Sequence, residues 1–230
     1  MNLNTINGEQ LSNDLNQKGF SLLKQMLSPE ECKQLIKTYE EGDFRKTINM
    51  ARYRFGSGEY KYYNYPLPAQ LDQLRGELYA YLAPIANHWM NALKVGYQYP
   101  SGHREFLDQC HLAGQIRPTP LILKYGPGDY NTLHQDLYGE VYFPLQAILF
   151  LNEPGNDYEG GELVLTEQVP RAQSKAMVIR PNQGDIAIIT TQFRPEKGSR
   201  GYYRKNMRHG VSEVTSGSRH TIGIIFHDAV

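Results

Sequence analysis

A mainly β fold with helices on its N-terminal side is the class this sequence predicts, and three observations carry it. From Thr119 onward, short apolar runs alternate with turn residues, as β-strands do. Before about residue 100, apolar residues fall instead at steps of three and four, the spacing of a buried helical stripe. No apolar run approaches the roughly 20 residues a membrane span needs. Eight short strands with such punctuation suit a jelly roll or β-sandwich of two sheets, with the helices packed outside one face.

Taken in order, residues 8–42 read as helical, with Leu11 and Leu15 followed by Phe20, Leu22 and Leu23. Ser28-Pro29-Glu30-Glu31 is a helix start: a serine cap, proline at the first position and acids in the first turn. Leu35, Ile36 and Tyr39 continue that stripe to Gly42. Residues 52–68, RYRFGSGEYKYYNYPLP, follow no period. They read as a surface loop with a hairpin at Gly56–Gly58, or as a flap over a substrate. A longer helix is expected from Pro68 to Lys94, kinked or split at Pro84. The eight expected strands cover 119–125, 131–138, 143–151, 161–166, 174–180, 184–191, 206–214 and 219–227.

The 230 residues suffice for one substantial domain. A formal net charge of zero gives no global support for a nucleic-acid or membrane-surface protein, although a local patch remains open. Seventeen tyrosines against one tryptophan suit either a wet cleft or the core and edges of a β-rich fold. Cys32 and Cys110 are in no CxxC spacing and the N-terminus lacks signal-peptide character, so a cytoplasmic protein is expected.

The chemistry concentrates in three places. His134-Gln135-Asp136 lies in the second expected strand, where residues i and i+2 share a face. An imidazole and a carboxylate from one strand, completed by a distant histidine, make the facial triad of non-haem iron(II) oxygenases. His209 in the seventh strand is the candidate third ligand, and Arg219 follows ten residues later. A plain hairpin would set Val214, not His209, opposite Arg219; strands in opposite sheets would let both enter one cavity. A guanidinium fork suits a buried carboxylate.

With these residues the chain resembles the 2-oxoglutarate/Fe(II)-dependent dioxygenase superfamily, most closely its prolyl-4-hydroxylase-like branch. The resemblance spans residues 117–228 and rests on KYGPGDYNTLHQD, LQAILFLNEP, GGELVLTE, GDIAIIT and RHGVSEVTSGSRHTIGIIFH. It implies a double-stranded β-helix, iron held by His134, Asp136 and His209, and 2-oxoglutarate anchored by Arg219, with Tyr125 and Thr221 beside it. It further implies one dioxygenase domain over 1–230, with 1–100 as helical support and flap and 117–228 as catalytic core. Fe(II), 2-oxoglutarate and O2 are the implied cofactors, and ascorbate is a further candidate. One departure is visible: relatives commonly place a tyrosine in the third strand, where this chain has Leu149 and Phe150. His220 and His227 compete as ligands, with structural roles expected for both.

For substrate, the first expectation is hydroxylation of a protein or peptide side chain, such as proline. The groove would be rimmed by 52–66, including Arg54 and Tyr62, by Tyr138, and by 192–206, including Arg194 and Arg204. Oxidative demethylation of an alkylated nucleic-acid base is the alternative, because basic residues and Tyr202-Tyr203 cluster just before His209. A small-molecule substrate and a non-catalytic binding module on the same fold are the remaining readings.

Overall fold

The computed structural model describes residues 3–169 and 171–230. In chain order it contains α1 (Gly8–Lys18), β1 (Phe20–Leu23), α2 (Pro29–Glu41), β2 (Phe44–Asn49), β3 (Gly56–Ser57), β4 (Glu59–Tyr63), α3 (Ala69–Ala92) and α4 (His103–Leu112). There follow β5 (Leu121–Tyr125), β6 (Tyr130–His134), β7 (Leu145–Phe150), β8 (Tyr158–Gly160), β9 (Leu163–Gln168), β10 (Lys175–Ile179) and β11 (Ile186–Thr190). The last are β12 (Phe193–Gly198), β13 (Gly201–Val211), β14 (Val214–Gly217) and β15 (Arg219–Ile225). Each of the eight expected strands has its counterpart. The major sheet runs β1-β11-β7-β15-β5-β4-β2 and the minor sheet β10-β9-β13-β6-β3, with β12 also on β13. Together they form the double-stranded β-helix.

Alternation along the strands divides the interior into two layers. Leu145, Ala147, Leu149, Ile222 and Ile224 face the helices and join one core with Leu71, Leu78, Leu82 and Trp89 of α3. Each such fully buried leucine or isoleucine stabilises the fold by about 1.5–3 kcal/mol relative to exposure. The intervening residues Gln146, Ile148, Arg219, Thr221 and Gly223 point between the sheets, into a cavity.

Several local expectations are met and others corrected. Ser28 caps α2 through a reciprocal box: Glu31 N donates to Ser28 Oγ at 3.3 Å and Ser28 N to Glu31 Oε2 at 2.8 Å. Pro84 neither splits nor ends α3; its ring is on the exposed face, where buried neighbours on either side hold the helix together. Phe20–Leu23 is a strand rather than helix, because Gly19, at φ +75°, ends α1 in the left-handed region. Phe20 and Leu22, two apart, then turn into the core between the sheets. Residues 44–63 also depart from the expected helical support: β2 and β4 pair as a hairpin that extends the major sheet beyond β5. Gly56–Ser57 is bound to β6 of the other sheet. Cys32 and Cys110 are buried free thiols. No helix of the described residues is long and apolar enough to cross a membrane.

A buried ion pair ties the C-terminus to α3. Arg75 Nη2 lies 2.9 Å from Asp228 Oδ1, with neither side chain exposed. Arg75 also donates to the Ile225 carbonyl and to Tyr65 Oη, and His111 Nε2 meets Asp228 Oδ2 at 3.0 Å. His227 packs beside this cluster, its Nδ1 accepting from Phe143 N. His220 is held by Asn152.

Candidate metal centre

The site forms where the two minor-sheet strands β6 and β13 meet. His134 stands directly opposite His209 in their antiparallel register, and the two rings are 4.2 Å apart between centroids. Beyond His209 the register slips: Val211 pairs with Asn131, so Thr132 and Leu133 together oppose Gly210. This is a β-bulge. It needs glycine at 210, where a Cβ would sit 2.7 Å from the Asn131 carbonyl oxygen. Asp136 lies two residues past the end of β6, not inside it as expected. Gln135 faces away, its amide donating to the Gln192 and Met207 carbonyls, and that clamp directs Asp136 inward.

Asp136 bridges the two imidazoles. Its Oδ1 is 3.4 Å from His134 Nε2 and its Oδ2 is 3.2 Å from His209 Nε2. All three ligand atoms lie within 4.8 Å of one another. His134 Nδ1 donates to the Thr132 carbonyl at 2.8 Å, which fixes the tautomer and leaves the Nε2 lone pair free. His209 Nε2 accepts from the Gln146 amide at 3.3 Å, and its buried Nδ1 has no partner. Tyr138 Oη donates to Asp136 Oδ1 at 3.0 Å and accepts from Tyr62 Oη at 3.3 Å. Burial opposes the ionisation of Asp136, yet the two imidazoles hold its carboxyl well below the usual range. Burial likewise opposes charge on His134, but Asp136 outweighs it and raises that pKa. For His209, burial and the neighbouring His134 win, and its pKa is lowered. Two nitrogens and one carboxylate converging on one side, with spacings near those of adjacent positions around an octahedral ion, fit a divalent first-row metal.

Arg219 enters the same cavity from the opposite sheet. It is 1% exposed, and its guanidinium carbon lies 5.4, 5.5 and 5.9 Å from the ring centres of Tyr125, Phe150 and Tyr158. Its Nε and Nη1 are buried without a partner. A buried cation with free donors, in a cavity that also holds a metal-ligand set, is suited to a carboxylate ligand. Burial pushes the Tyr125 hydroxyl up to about 12 even against the pull of Arg219, so it stays a neutral donor. Thr221 lies two residues along the same face, and Gly161 makes room: a Cβ there would come within 2.8 Å of Arg219 Cδ.

One cavity of about 240 Å3 is thus lined by His134, Asp136, His209, Arg219, Tyr125, Thr221, Tyr138 and Tyr62. Three residues expected at the substrate rim do not line it. Arg54 is exposed just outside the mouth, and Arg204 lies over the Phe193 ring at 4.6 Å. Arg194 is 3% exposed and paired with Glu167 and Glu196, so its role is internal. From the 52–66 segment expected at the rim, Phe55, Tyr60 and Tyr62 line the cavity; sequence reasoning missed Asn131 and Gln146, which also line it, and Tyr158 beside Arg219. The lone polar residue in LQAILF was the available signal for Gln146.

Comparison with known proteins adds the following. Residues 58–229 match the model of the Oxygenase-NA family, described as an oxygenase catalysing oxidative methylation of damaged DNA. Two uncharacterized proteins of Mycobacterium tuberculosis strains are each 46% identical over 164 residues, 71% of this chain and 70% of theirs. Among solved structures, a 2OG-Fe(II) oxygenase-family oxidoreductase from Burkholderia pseudomallei is similar at TM-score 0.57 and 11% identity, covering 98% of this chain and 93% of its own. A Pseudomonas putida prolyl-4-hydroxylase gives 0.54 and 14%, covering 97% and 100%. A Trichoplax adhaerens prolyl hydroxylase, in complex with a hypoxia inducible factor peptide fragment, gives 0.55 and 17%, covering 95% and 87%. At these identities the likeness is one of fold.

Proposed function

Because the chain belongs to the Oxygenase-NA family of oxygenases, we propose that it is an Fe(II)- and 2-oxoglutarate-dependent dioxygenase that oxidises an alkyl group on a damaged nucleobase. The observation that carries the cofactor assignment is the shared cavity: a compact His-Asp-His set faces a buried arginine with two unpartnered donors. His134, Asp136 and His209 would hold the iron, and Arg219, with Tyr125 and Thr221, the far carboxylate of 2-oxoglutarate. Bound together, iron and 2-oxoglutarate supply the activation of dioxygen for attack on a C–H bond.

The protein's own work is positioning and exclusion of water. The Thr132 carbonyl fixes the His134 tautomer. Tyr138 occupies one oxygen of Asp136 and so orients the carboxylate. Arg219 offers a planar guanidinium fork that matches a carboxylate, and three aromatic rings shield it. Ascorbate has no residue assigned to it and would act only as an external reductant.

For the substrate, family membership and an aromatic-walled cavity (Phe55, Tyr60, Tyr62, Tyr138) favour a flat base. Hydroxylation of a protein side chain such as proline is the second reading, favoured by the prolyl hydroxylases among the structures of similar fold. Succinate release measured with Fe(II), 2-oxoglutarate and either a methylated oligonucleotide or a proline-containing peptide separates them. Stimulation by the methylated strand, with release of formaldehyde as the hydroxylated N-methyl group collapses, is expected. Stimulation by the peptide alone would overturn the nucleobase reading. Undiminished succinate release by His134→Ala would remove the metal assignment.

A further inference from the structure

The mouth of the cavity carries a feature that the cofactor chemistry does not use. Tyr53 and Phe55 are 52% and 47% exposed, and their rings stack at 5.7 Å between centroids with only 16° between planes. Phe55 is also part of the cavity wall. Arg52 and Arg54, alternating with them, are exposed and have no ion-pair partner among the described residues. Asp129, the carboxylate tied to this segment, is engaged by Ser57 Oγ and Gly126 N.

The segment is held firmly. The Phe55 carbonyl accepts from both Thr132 N at 2.9 Å and Thr132 Oγ1 at 2.8 Å, and Gly56–Ser57 pair with β6. Thr132 is two residues from His134, so the aromatic pair keeps a fixed distance from the metal ligands. Arg54 adopts φ +59°, a conformation that costs a non-glycine residue roughly 1 kcal/mol or more. The conformation closes the 3-10 turn Met50–Tyr53, with Arg54 N donating to the Ala51 carbonyl and Phe55 N to the Met50 carbonyl, so the turn fixes the backbone that carries both rings.

Resting on the nucleobase reading above, we infer that Arg52, Tyr53, Arg54 and Phe55 form a landing for a single nucleic-acid strand. The stacked rings receive bases that flank the one entering the cavity, and the arginines contact phosphates. Stacking serves any base because each has a π face, and guanidinium charge complements the backbone. An apolar peptide would explain the rings but leave the arginines without a purpose. With zero net charge on the chain, affinity comes from these few contacts and not from a long-range field.

The test is fluorescence anisotropy of a short labelled single-stranded DNA with the full chain loaded with Mn(II). Tyr53→Ala and Phe55→Ala are each expected to weaken binding roughly 5- to 150-fold. The double variant Arg52→Gln/Arg54→Gln is expected to lower the slope of log affinity against log salt by about 1.4. Thermal melting confirms that each variant is folded. If the unmodified chain binds the strand and these variants bind it equally well, the landing is wrong while the nucleobase reading stands. If the unmodified chain binds no DNA at low salt, the nucleobase reading itself fails and the landing with it. Equal competition by a polyglutamate peptide would reduce the surface to bare charge and overturn the stacking role.

Discussion

Replacing Arg219 with methionine should weaken ligand binding strongly while leaving the ligand-free fold almost as stable. On the proposed assignment, 2-oxoglutarate at one hundred times its Kd would add about 2.7 kcal/mol of stability to the unsubstituted protein. For a chain of this size that is a rise in Tm of about 5–11 °C. Removing one partner of a buried, hydrogen-bonded charge pair costs about 2–5 kcal/mol, or at least a 30-fold rise in Kd. At the same concentration the shift then shrinks to no more than about 3 °C. Without 2-oxoglutarate the balance differs. Nε and Nη1 of Arg219 are buried and unpartnered, and two such donors cost together about 2–6 kcal/mol. The three ring contacts, desolvated with it, offset about 2 kcal/mol each. The two contributions nearly cancel, so R219M should melt within a few degrees of the unsubstituted protein when no ligand is present. Differential scanning fluorimetry with Mn(II) in place of iron reads both quantities without turnover. A full 2-oxoglutarate shift in R219M would show that Arg219 does not anchor the keto acid. A ligand-free Tm lower by more than about 8 °C would show that it is a structural residue.

Gly161→Ala should raise the Kd for 2-oxoglutarate about tenfold, because the added methyl meets Arg219 Cδ and Val214 Cγ2 at 2.8 Å in a left-handed backbone; unchanged calorimetric binding would show that Arg219 does not need that space. Asp228→Asn breaks the buried pair with Arg75 and should cost about 3–5 kcal/mol, lowering Tm by about 6–20 °C; a smaller loss in melting would mean that the hydrogen bonds of Arg75 suffice without the charge. The pH dependence of melting follows from three histidines: burial lowers His103 to about 3, and His220 and His227 to about 4. Their folded pKa values lie below the unfolded 6.5, so the unfolded chain takes up more protons. Stability is whole above about pH 6.5 and falls toward pH 4, by up to about 1.4 kcal/mol per pH unit for each histidine. A Tm that is flat between about pH 7 and 5 would contradict this assignment.

The strands around the cavity were legible because they are buried on both faces and read as continuous apolar runs. LQAILF and HTIGII are examples. HxD, the distal histidine and Arg219 were legible through their spacing and order. The strands before residue 100 were not. FRKTIN and EYKYY lie toward the sheet edge, where charged side chains face water and blur the alternation. Two members of the basic stretch 194–208 were not legible for a related reason: alternation turns Arg194 and Lys205, opposite each other in β12 and β13, toward Glu167 and Glu196. Tyr158 comes from a three-residue strand with no period of its own. Its nearness to Arg219 is set by the tertiary fold, which brings β8 to the guanidinium beside Phe150 of the third expected strand.

The bulge opposite Gly210 makes the spacing within β6 matter more than its composition. In a regular strand, residues three apart face opposite sides, yet His134 and Asn131 both line the cavity, one beside Asp136 and His209 and the other reaching Tyr125 Oη at 3.5 Å. One surplus residue lets a single strand reach two parts of the cavity. Leu133 can change identity without moving either neighbour, whereas loss or gain of one residue between 131 and 134 would turn one of them to the outside. At this point the site tolerates spelling errors but not errors of counting.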